Sequence, residues 1–356
     1  MSSPRLILFL GADWWGSDAR ALAMSLRRLG HAVMDVNCDD YLPSHWSSVP
    51  LRAVRRALAP IVAREYNQAV LRHLNHHSLD FLLAFKGRLL RPETLSQFTK
   101  TGLPAYCFYP DVSFQDHGSG IWQCLPSYDC VFTTKSFHLK DANLRSRVKD
   151  MRLVSHGFDP DVHRPLQLSS SARAAYQCDV SFVGCRSPKK EQLLKWLLEN
   201  CAGLDLRIWG PGWGSAASPV RERWQGRGAY GDELTTIYCA SKINLGLLSE
   251  AGGGTKLGDQ VTARTWQIPA AGGFMLHEQT AALAQYFVPG QETGVFATLA
   301  DLAEKTRWFL DHEHERLAIA AAGHRRCLES GYTYESAAQA ILDYHEQRAH
   351  RLTKQP

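Results

Sequence analysis

Residues 241–276 read SKINLGLLSEAGGGTKLGDQVTARTWQIPAAGGFML, and this stretch is the most informative part of the chain. Residues 243–248 are apolar enough to form a buried parallel strand. A glycine-rich loop follows, and then a short helix that Asp259 can cap at its N-terminus and that ends near Gly272. A second strand completes the stretch. This order of elements is typical of an α/β domain.

The three glycines of the loop, Gly252, Gly253 and Gly254, allow the backbone to approach a ligand closely. The N-terminus of the helix behind them presents free N–H groups and a positive partial charge, which together favour a phosphate. An ordinary loop and helix fit the same residues equally well. On this stretch alone, both interpretations stay open.

Composition limits the class of protein. A length of 356 residues favours two domains of similar size. The net charge of +5 suits a phosphate-bearing ligand or an anionic membrane surface, and it is too small to indicate a nucleic-acid partner. Nine scattered cysteines without a CxxC pair indicate reduced thiols. With no signal-peptide pattern and no transmembrane segment, we expect a cytoplasmic protein, and peripheral membrane contact stays open.

Short strands alternate with helical patterns, which predicts an α/β chain with two Rossmann-like, parallel-sheet domains facing a cleft. The predicted strands are residues 6–10, 32–36, 81–85, 105–109, 130–133 and 152–155, and then 180–183, 206–209 and 243–248. The main predicted helices are residues 17–29, 53–75, 188–200, 232–240, 299–310, 313–329 and 334–348. A polar segment with two prolines, residues 156–175, is the predicted interdomain linker.

We therefore expect an N-terminal domain over residues 1–160, a C-terminal domain over 161–333, and a last helix within 334–356 that can pack back on the N-terminal domain. Ligands of open α/β sheets bind outside the carboxyl ends of the strands. The loops to consider are residues 11–17, 110–120, 184–190, 210–214 and 249–259, all of which follow predicted strands.

Five phrases of the C-terminal half stand in an order that resembles a known family. They are DVSFVGCRSPKKEQLL, LRIWGPGW, ELTTIYCASKINLGLL, DQVTARTWQIPAAGGFML and ERLAIAAAGHRRCLESGYTYE, and HGFDPDVHRP precedes them. The resemblance is to the CgeB-like (spore-maturation-protein-like) group of GT-B glycosyltransferases. It implies a nucleotide-diphosphate sugar bound mainly by the C-terminal domain, an acceptor bound mainly by the N-terminal domain, and no essential metal or other cofactor. A helix dipole and basic side chains would then stabilise the leaving diphosphate.

Donor-site candidates follow the first two strands of the C-terminal half. Arg186 and Lys189, beside Gly184, could pair with the diphosphate, or they could be solvated charges of a loop. Gly210 and Trp213 could form a wall of the base pocket, with Trp213 stacked on the base; packing in the core is the alternative for the tryptophan.

The glycine loop and the helix behind it supply the remaining donor-site candidates. Arg264 could reach the phosphates, and Gly254 and Thr262 belong to the same predicted set. Gln267 stands where the family usually has a glutamate that binds the ribose hydroxyls, so donor affinity or even turnover could be weaker. Asp259 could lie near the sugar or could only cap the helix.

The sequence offers three candidates for the catalytic base, which are Asp111, Asp13 and His117. An inverting enzyme needs such a base, whereas a retaining one can use the leaving phosphate. Aspartates in such loops are also common turn residues. Trp14 and Trp15 could offer an apolar or sugar-stacking surface on the acceptor side or could simply pack. The histidine pairs lack a matching third ligand, so we predict no metal site.

The leading hypothesis is a glycosyltransferase. Its acceptor could be a saccharide, a lipid-linked saccharide, a protein or a small molecule. A sugar-nucleotide epimerase shares the architecture but needs acid and base groups at the donor site. A non-catalytic nucleotide-sugar-binding protein is the third possibility, and Gln267 motivates it.

Overall fold

The structure is a computed structural model that describes residues 3–41, 49–115, 119–252 and 255–353. The chain divides into two compact units. The N-terminal unit comprises Met1–Ser155, Gly252–Thr255 and Tyr334–Pro356, and the C-terminal unit comprises His156–Ala251 and Lys256–Thr333.

The N-terminal unit is built on a parallel sheet of six strands in the order β2-β1-β3-β4-β5-β6. The strands are β1 (Leu6–Gly11), β2 (Ala32–Asn37), β3 (Phe81–Phe85), β4 (Ala105–Tyr109), β5 (Cys130–Thr133) and β6 (Met151–Leu153). The helices between them are α1 (Asp18–Arg28), α2 (Val49–His76), α3 (Pro92–Thr101), α4 (Ser119–Cys124) and α5 (Ala142–Arg145). Because β3 and β4 are buried along nearly their whole length, their residues are almost continuously apolar.

The C-terminal unit has a parallel sheet of five strands in the order β11-β10-β9-β7-β8. The strands are β7 (Cys178–Val183), β8 (Leu206–Trp209), β9 (Ser241–Gly246), β10 (Met275–Glu278) and β11 (Gly294–Phe296). The helices are α6 (Ser170–Tyr176), α7 (Pro188–Asn200), α8 (Gly231–Ala240), α9 (Arg264–Ala270), α10 (Leu299–Asp311) and α11 (Glu313–Glu329).

The last helix, α12 (Tyr334–Thr353), packs within the N-terminal unit. Its Ile341 is fully buried in one core cluster with Leu22 of α1. The Tyr106 hydroxyl of β4 also lies 3.0 Å from Nδ1 of His345. The apolar contacts place this helix on the α1 face of the sheet, where it covers side chains of the central strands.

The predicted fold class is confirmed, since each unit is a parallel sheet with helices on it. Every strand predicted from the sequence is present with ends shifted by a few residues, whereas the three-residue edge strand β11 is not predicted. The segment 156–175 differs from a simple linker, because it contains part of α6 and buries Phe158, Val162 and His163. It is an integral part of the C-terminal unit.

The helix after the glycine loop begins later than the sequence predicts. It starts at Arg264, and its N-cap is Ala263, which has no side-chain acceptor. The prediction that Asp259 caps this helix is therefore wrong. The backbone N–H of Asp259 instead donates to Ser249 O at 2.8 Å and closes the loop on itself. Within the described residues, none of the helices combines the length and the apolar character needed to cross a membrane.

Candidate functional site

The loops that follow β7 and β8 touch each other at the carboxyl edge of the C-terminal sheet. A Cβ atom on Gly210 would lie 2.0 Å from the carbonyl oxygen of Gly184, and the φ angle of Gly210 is +138°. Only glycine tolerates both conditions. A Cβ on Gly184 would in turn lie 2.9 Å from Nη1 of Arg264. The lack of a side chain at Gly210 thus leaves room for the backbone of Gly184, and the lack of one at Gly184 leaves room for the Arg264 guanidinium.

Trp213 supports the contact between these two loops from within the core. Its side chain is fully buried, its Nε1 donates to Gly184 O at 2.8 Å, and its ring meets Phe182 edge to face. Because none of the ring is exposed, the prediction that Trp213 stacks on a nucleotide base is wrong. The core alternative applies, and the hydrogen bond makes the tryptophan a support for the loop after β7.

Arg264 lies at the centre of the edge. Its Nη2 donates to Leu247 O at 2.6 Å and its Nη1 to Val183 O at 3.4 Å, and the guanidinium lies over the Phe182 ring. Its Nε is buried and has no hydrogen-bond partner among the described atoms. Both side-chain bonds go to neutral carbonyls, and Arg264 forms no ion pair with a carboxylate in the described part of the chain.

Lys190 is a second cation at this edge, and sequence reasoning missed it. The side chain is 3% exposed, and its Nζ donates to Ser249 Oγ at 3.0 Å and to Cys185 O at 3.4 Å. Burial and then the nearby charge of Arg264 lower the pKa of the Lys190 ammonium group to about 8. No carboxylate of the described residues forms an ion pair with Lys190, although Asp259 and Glu250 lie close enough to act on its charge.

A signal for Lys190 was available in the sequence. With Pro188 at the first position of α7, Lys190 precedes the buried Leu194 by four residues and Leu197 by seven. That spacing places the lysine on the apolar face of the helix. A lysine on the buried face of a helix beside a glycine turn is a stronger sign of a functional or paired cation than its partly exposed neighbour Lys189 is.

The two cations that the sequence favoured are already paired. Lys189 Nζ lies 2.5 Å from Glu278, and its backbone N–H donates to Glu250 at 3.0 Å. Arg186 lies 2.6 Å from Glu191. A diphosphate would have to open these ion pairs before it could use either charge. That Arg186 and Lys189 pair with a diphosphate stays a prediction, and neither is the solvated charge of the alternative interpretation, since each forms an ion pair.

Four other residues were predicted to bind the donor. Thr262 is buried at the start of α9, and its hydroxyl has no partner among the described atoms. Gln267 is 7% exposed and stands three residues after Arg264 on α9. That it hydrogen-bonds the ribose hydroxyls stays a prediction. Asp259 is partly exposed, and its role near the sugar also stays a prediction. Gly254 lies outside the described residues.

His277 fixes the start of α9 against β10, a role that the sequence does not reveal. The fully buried imidazole lies 3.0 Å from Thr265 Oγ1 through Nε2 and 2.6 Å from Glu278 O through Nδ1. Since a carbonyl only accepts, Nδ1 carries the proton and Nε2 accepts from the Thr265 hydroxyl. That hydroxyl accepts from the Thr262 N–H at 3.1 Å. Burial lowers the pKa of His277 to about 4, so the ring is neutral.

The predicted catalytic aspartates lie at the carboxyl edge of the N-terminal sheet. Asp111 Oδ2 lies 2.7 Å from Lys86 Nζ, and Lys86 has the left-handed φ of +64° that a lysine seldom adopts. Asp13 pairs with Arg20 at 3.3 Å. Both carboxylates are thus held by a cation, and their role as a base stays a prediction. His117 lies outside the described residues.

Trp14 and Trp15 follow β1 and are 41% and 44% exposed. The Arg20 guanidinium lies 5.4 Å from the centroid of the Trp15 ring. The rings therefore do not serve as core packing alone, and part of each is exposed on the same edge as Asp13 and Asp111. Within the described residues, no group of three or more His, Cys, Asp or Glu side chains is arranged to hold a metal ion.

The chain is similar to glycosyltransferases in both sequence and structure. Residues 186–343 match a family model described as glycosyl transferase-like. None of the curated proteins matches the chain. A solved sucrose-phosphate synthase from Thermosynechococcus elongatus is similar at 13% identity and a TM-score of 0.64, over 98% of this chain and 100% of that one.

Two further solved structures have the same architecture. Anabaena HepE in complex with UDP-glucose is similar at 11% identity and a TM-score of 0.62, over 96% of this chain and 100% of its own. A Listeria monocytogenes protein assigned as a UDP-N-acetylglucosamine 2-epimerase is similar at 10% identity and a TM-score of 0.53, over 98% of each chain. The fold is GT-B. At these identities the likeness concerns the GT-B fold, and it does not by itself assign an activity.

Proposed function

We propose that this chain is a glycosyltransferase that takes a sugar from a nucleotide-diphosphate donor held by its C-terminal unit. The glycosyl transferase-like match over residues 186–343 and the GT-B fold support the class of reaction. The observation that carries the proposal is the pair of cations Arg264 and Lys190. Both lie at the carboxyl edge of the C-terminal sheet, and neither forms an ion pair with a described carboxylate.

A leaving diphosphate needs positive charge that is already in place, because reorganising water or side chains during the reaction would raise the barrier. Arg264 offers a planar group with several donors, whereas Lys190 offers a compact charge. Their hydrogen bonds to Leu247, Val183 and Ser249 hold them in position before any ligand arrives. We propose that these two side chains, with the backbone at Gly184, stabilise the diphosphate without a metal ion.

The finer family assignment is also a proposal. The CgeB-like phrases of the C-terminal half support it, and Gln267 is the departure that needs a test. A buried amide can accept a hydrogen bond from a ribose hydroxyl but without the strength of a charged acceptor. We therefore expect donor binding with modest affinity rather than loss of binding.

We further propose that the acceptor reacts at the N-terminal unit, with Asp111 or Asp13 as the base if the reaction inverts. Asp111 lies at that edge in an ion pair with Lys86. The nine cysteines are all free thiols, which is the form kept in a reducing compartment, and this supports a cytoplasmic protein.

The test is incubation of the protein with UDP-, GDP-, ADP-, CDP- and dTDP-sugars, with and without a mixture of saccharide acceptors, followed by measurement of released nucleotide. Release that Lys190→Met and Arg264→Met abolish, and that Lys242→Met leaves unchanged, supports the proposal. Lys242 is a suitable control because it is the second residue of β9, at the opposite edge of the sheet, where it pairs with Asp179. Absence of both release and nucleotide binding would remove it.

The same incubation with nucleotide sugars distinguishes a transferase from an epimerase and from a non-catalytic binding protein. An epimerase would produce an epimerised sugar without an acceptor. Glu191, Glu250 and Glu278 all lie at this edge, but each already binds a cation or a backbone N–H, which does not favour acid-base work. A non-catalytic binding protein would bind donor without release, and Gln267→Glu would create turnover.

A further inference from the structure

Tyr230 is an exposed aromatic residue of the C-terminal unit, with 57% of its surface exposed. It directly precedes α8, the helix that leads back to the start of β9. Because a helix that joins two parallel strands begins where the first strand ends, the start of α8 lies at the carboxyl edge of the sheet. Tyr230 therefore shares this edge with Arg264 and Lys190, the two cations of the candidate site.

The chain just before Tyr230 is held against the loops of the candidate site. The carbonyl oxygen of Arg227 accepts the backbone N–H of Gly210 at 2.9 Å, and Gly210 is the residue that meets Gly184. The Tyr230 ring also packs back on its own chain. A Cβ atom on Gly228 would lie 2.8 Å from the Tyr230 hydroxyl oxygen and 2.9 Å from its Cε2. A side chain at position 228 would thus displace the ring, and glycine there gives it a defined place.

The two cations and the exposed ring follow one another along the edge. Arg264 and Lys190 each donate to one group beyond the end of β9 and to one at or beyond the end of β7. The acceptor of Lys190 beyond β7 is the carbonyl of Cys185. Partial burial and then the nearby Cys185 raise the pKa of Tyr230, so the ring lies close to that same loop. It lies towards β8, because Arg227 bonds the residue that follows β8.

We propose that the Tyr230 ring stacks on the nucleobase of the donor. A nucleoside diphosphate has a charged diphosphate and, at its other end, a flat uncharged base, and this edge offers two cations and then an exposed ring. The ring takes the part that the sequence suggested for Trp213, whose own ring is buried. Every base has a π face, so Tyr230 raises the affinity for all nucleotides without selecting among them. The inference rests on the proposed function, because it concerns the same donor.

The experiment is calorimetric titration of the full chain with UDP, GDP, ADP, CDP and dTDP, with the glucose conjugate of the tightest binder, and with inorganic pyrophosphate. Tyr230→Ala should weaken binding of the tightest nucleoside diphosphate about fivefold or more, because the base loses its stacking partner. The conjugate should lose the same factor. Pyrophosphate has no base, so its affinity should stay within about twofold. Tyr230→Phe keeps the ring and should stay within about threefold of the wild type for every ligand.

The control is Trp308→Ala, which removes an aromatic ring that is 42% exposed near the end of α10 in the same unit. It should leave all affinities unchanged, and thermal unfolding should show that every variant folds. The Tyr230 side chain makes no capping hydrogen bond to α8, so its truncation removes no cap.

Three results would overturn the stacking of Tyr230 while leaving the proposed function in place. They are equal affinity of the wild type and Tyr230→Ala for the nucleoside diphosphate, an equal loss in Tyr230→Phe, and a loss confined to the glucose conjugate. The second would assign the effect to the hydroxyl and the third to the sugar. A loss that is as large for pyrophosphate would also overturn it, because the base would not be involved. If the wild type binds neither pyrophosphate nor any nucleoside diphosphate, the proposed function fails together with the inference.

Discussion

Gly210 and Gly184 hold the loops after β7 and β8 in direct contact, because a Cβ atom on Gly210 would lie 2.0 Å from the carbonyl oxygen of Gly184. The same carbonyl accepts the indole N–H of Trp213 at 2.8 Å. The wall of the candidate site is thus a backbone contact supported by a buried ring. Substitutions at this contact test whether the wall is needed for binding.

Gly210→Ala should destabilise the C-terminal unit by about 2–4 kcal/mol, because it adds a clash with backbone to an unfavourable φ. Urea unfolding measures the loss. Gly203→Ala is the control, since Gly203 also has a positive φ, +74°, but open space around it. It should cost only about 1 kcal/mol. Equal losses in the two variants would show that the contact between the loops is not tight.

Arg264→Lys should weaken nucleotide binding roughly tenfold although the charge is kept, because one ammonium group cannot span both Leu247 O and Val183 O. Calorimetric titration with a nucleoside diphosphate measures the change. Arg207→Lys is the matched control, since Arg207 lies in the same unit and bonds Asp205 and Ala175 O instead. Unchanged affinity in Arg264→Lys would mean that only charge matters at this position.

Lys190 makes nucleotide affinity depend on pH. Its pKa is about 8 in the free protein, and a bound diphosphate should raise it towards the ordinary value near 10.5. Between these two values the complex binds one more proton than the free protein, so affinity should fall by up to about tenfold per pH unit above pH 8. Titrations from pH 7 to 10 in buffers of different ionisation enthalpy measure both effects, and Lys190→Met should lose them. A flat profile in the wild-type protein would contradict this assignment.

Two buried histidines should make the C-terminal unit sensitive to acid. Burial lowers the pKa of His277 and of His163 to about 4 each, whereas the unfolded chain takes up protons near pH 6.5. Stability that is complete above pH 6.5 is therefore lost as the pH falls towards 4, by up to about 1.4 kcal/mol per unit for each histidine. Denaturant unfolding across this range measures the slope, and His277→Gln should reduce it by about half. An unchanged slope in the variant would show that His277 is not the group responsible.

The strands of both sheets can be predicted from local sequence pattern. Apolar runs of strand length predict the parallel sheets, because burial on both faces leaves a continuous signal. The order of strand, glycine loop and helix also indicates the edge at which Arg264 lies, although the helix begins four residues later than a cap at Asp259 would place it. The exact start differs because the loop closes through Asp259 and Ser249 rather than through a cap.

Side-chain pairing is what the sequence could not reveal. Lys189 and Lys190 are adjacent, yet one meets Glu278, from a strand far along the chain, while the other turns into the edge beside Arg264. Trp213 follows a glycine turn that suits a base pocket, and only tertiary packing shows that its ring belongs to the core. His277 gives no local signal, because its partner Thr265 is brought to it by the helix and not by sequence proximity.

In the function proposed above, Arg264 and Lys190 bind a diphosphate at the carboxyl edge of the C-terminal sheet. The most direct measurement is the dissociation constant of the nucleoside diphosphate that the panel selects, for the wild type, Lys190→Met/Arg264→Met and Lys242→Met. We predict a loss of about 100-fold or more in the double variant and a change within about twofold in the control. Equal affinity in the wild type and the folded double variant, or no binding of any nucleoside diphosphate to the wild type, would contradict the claim.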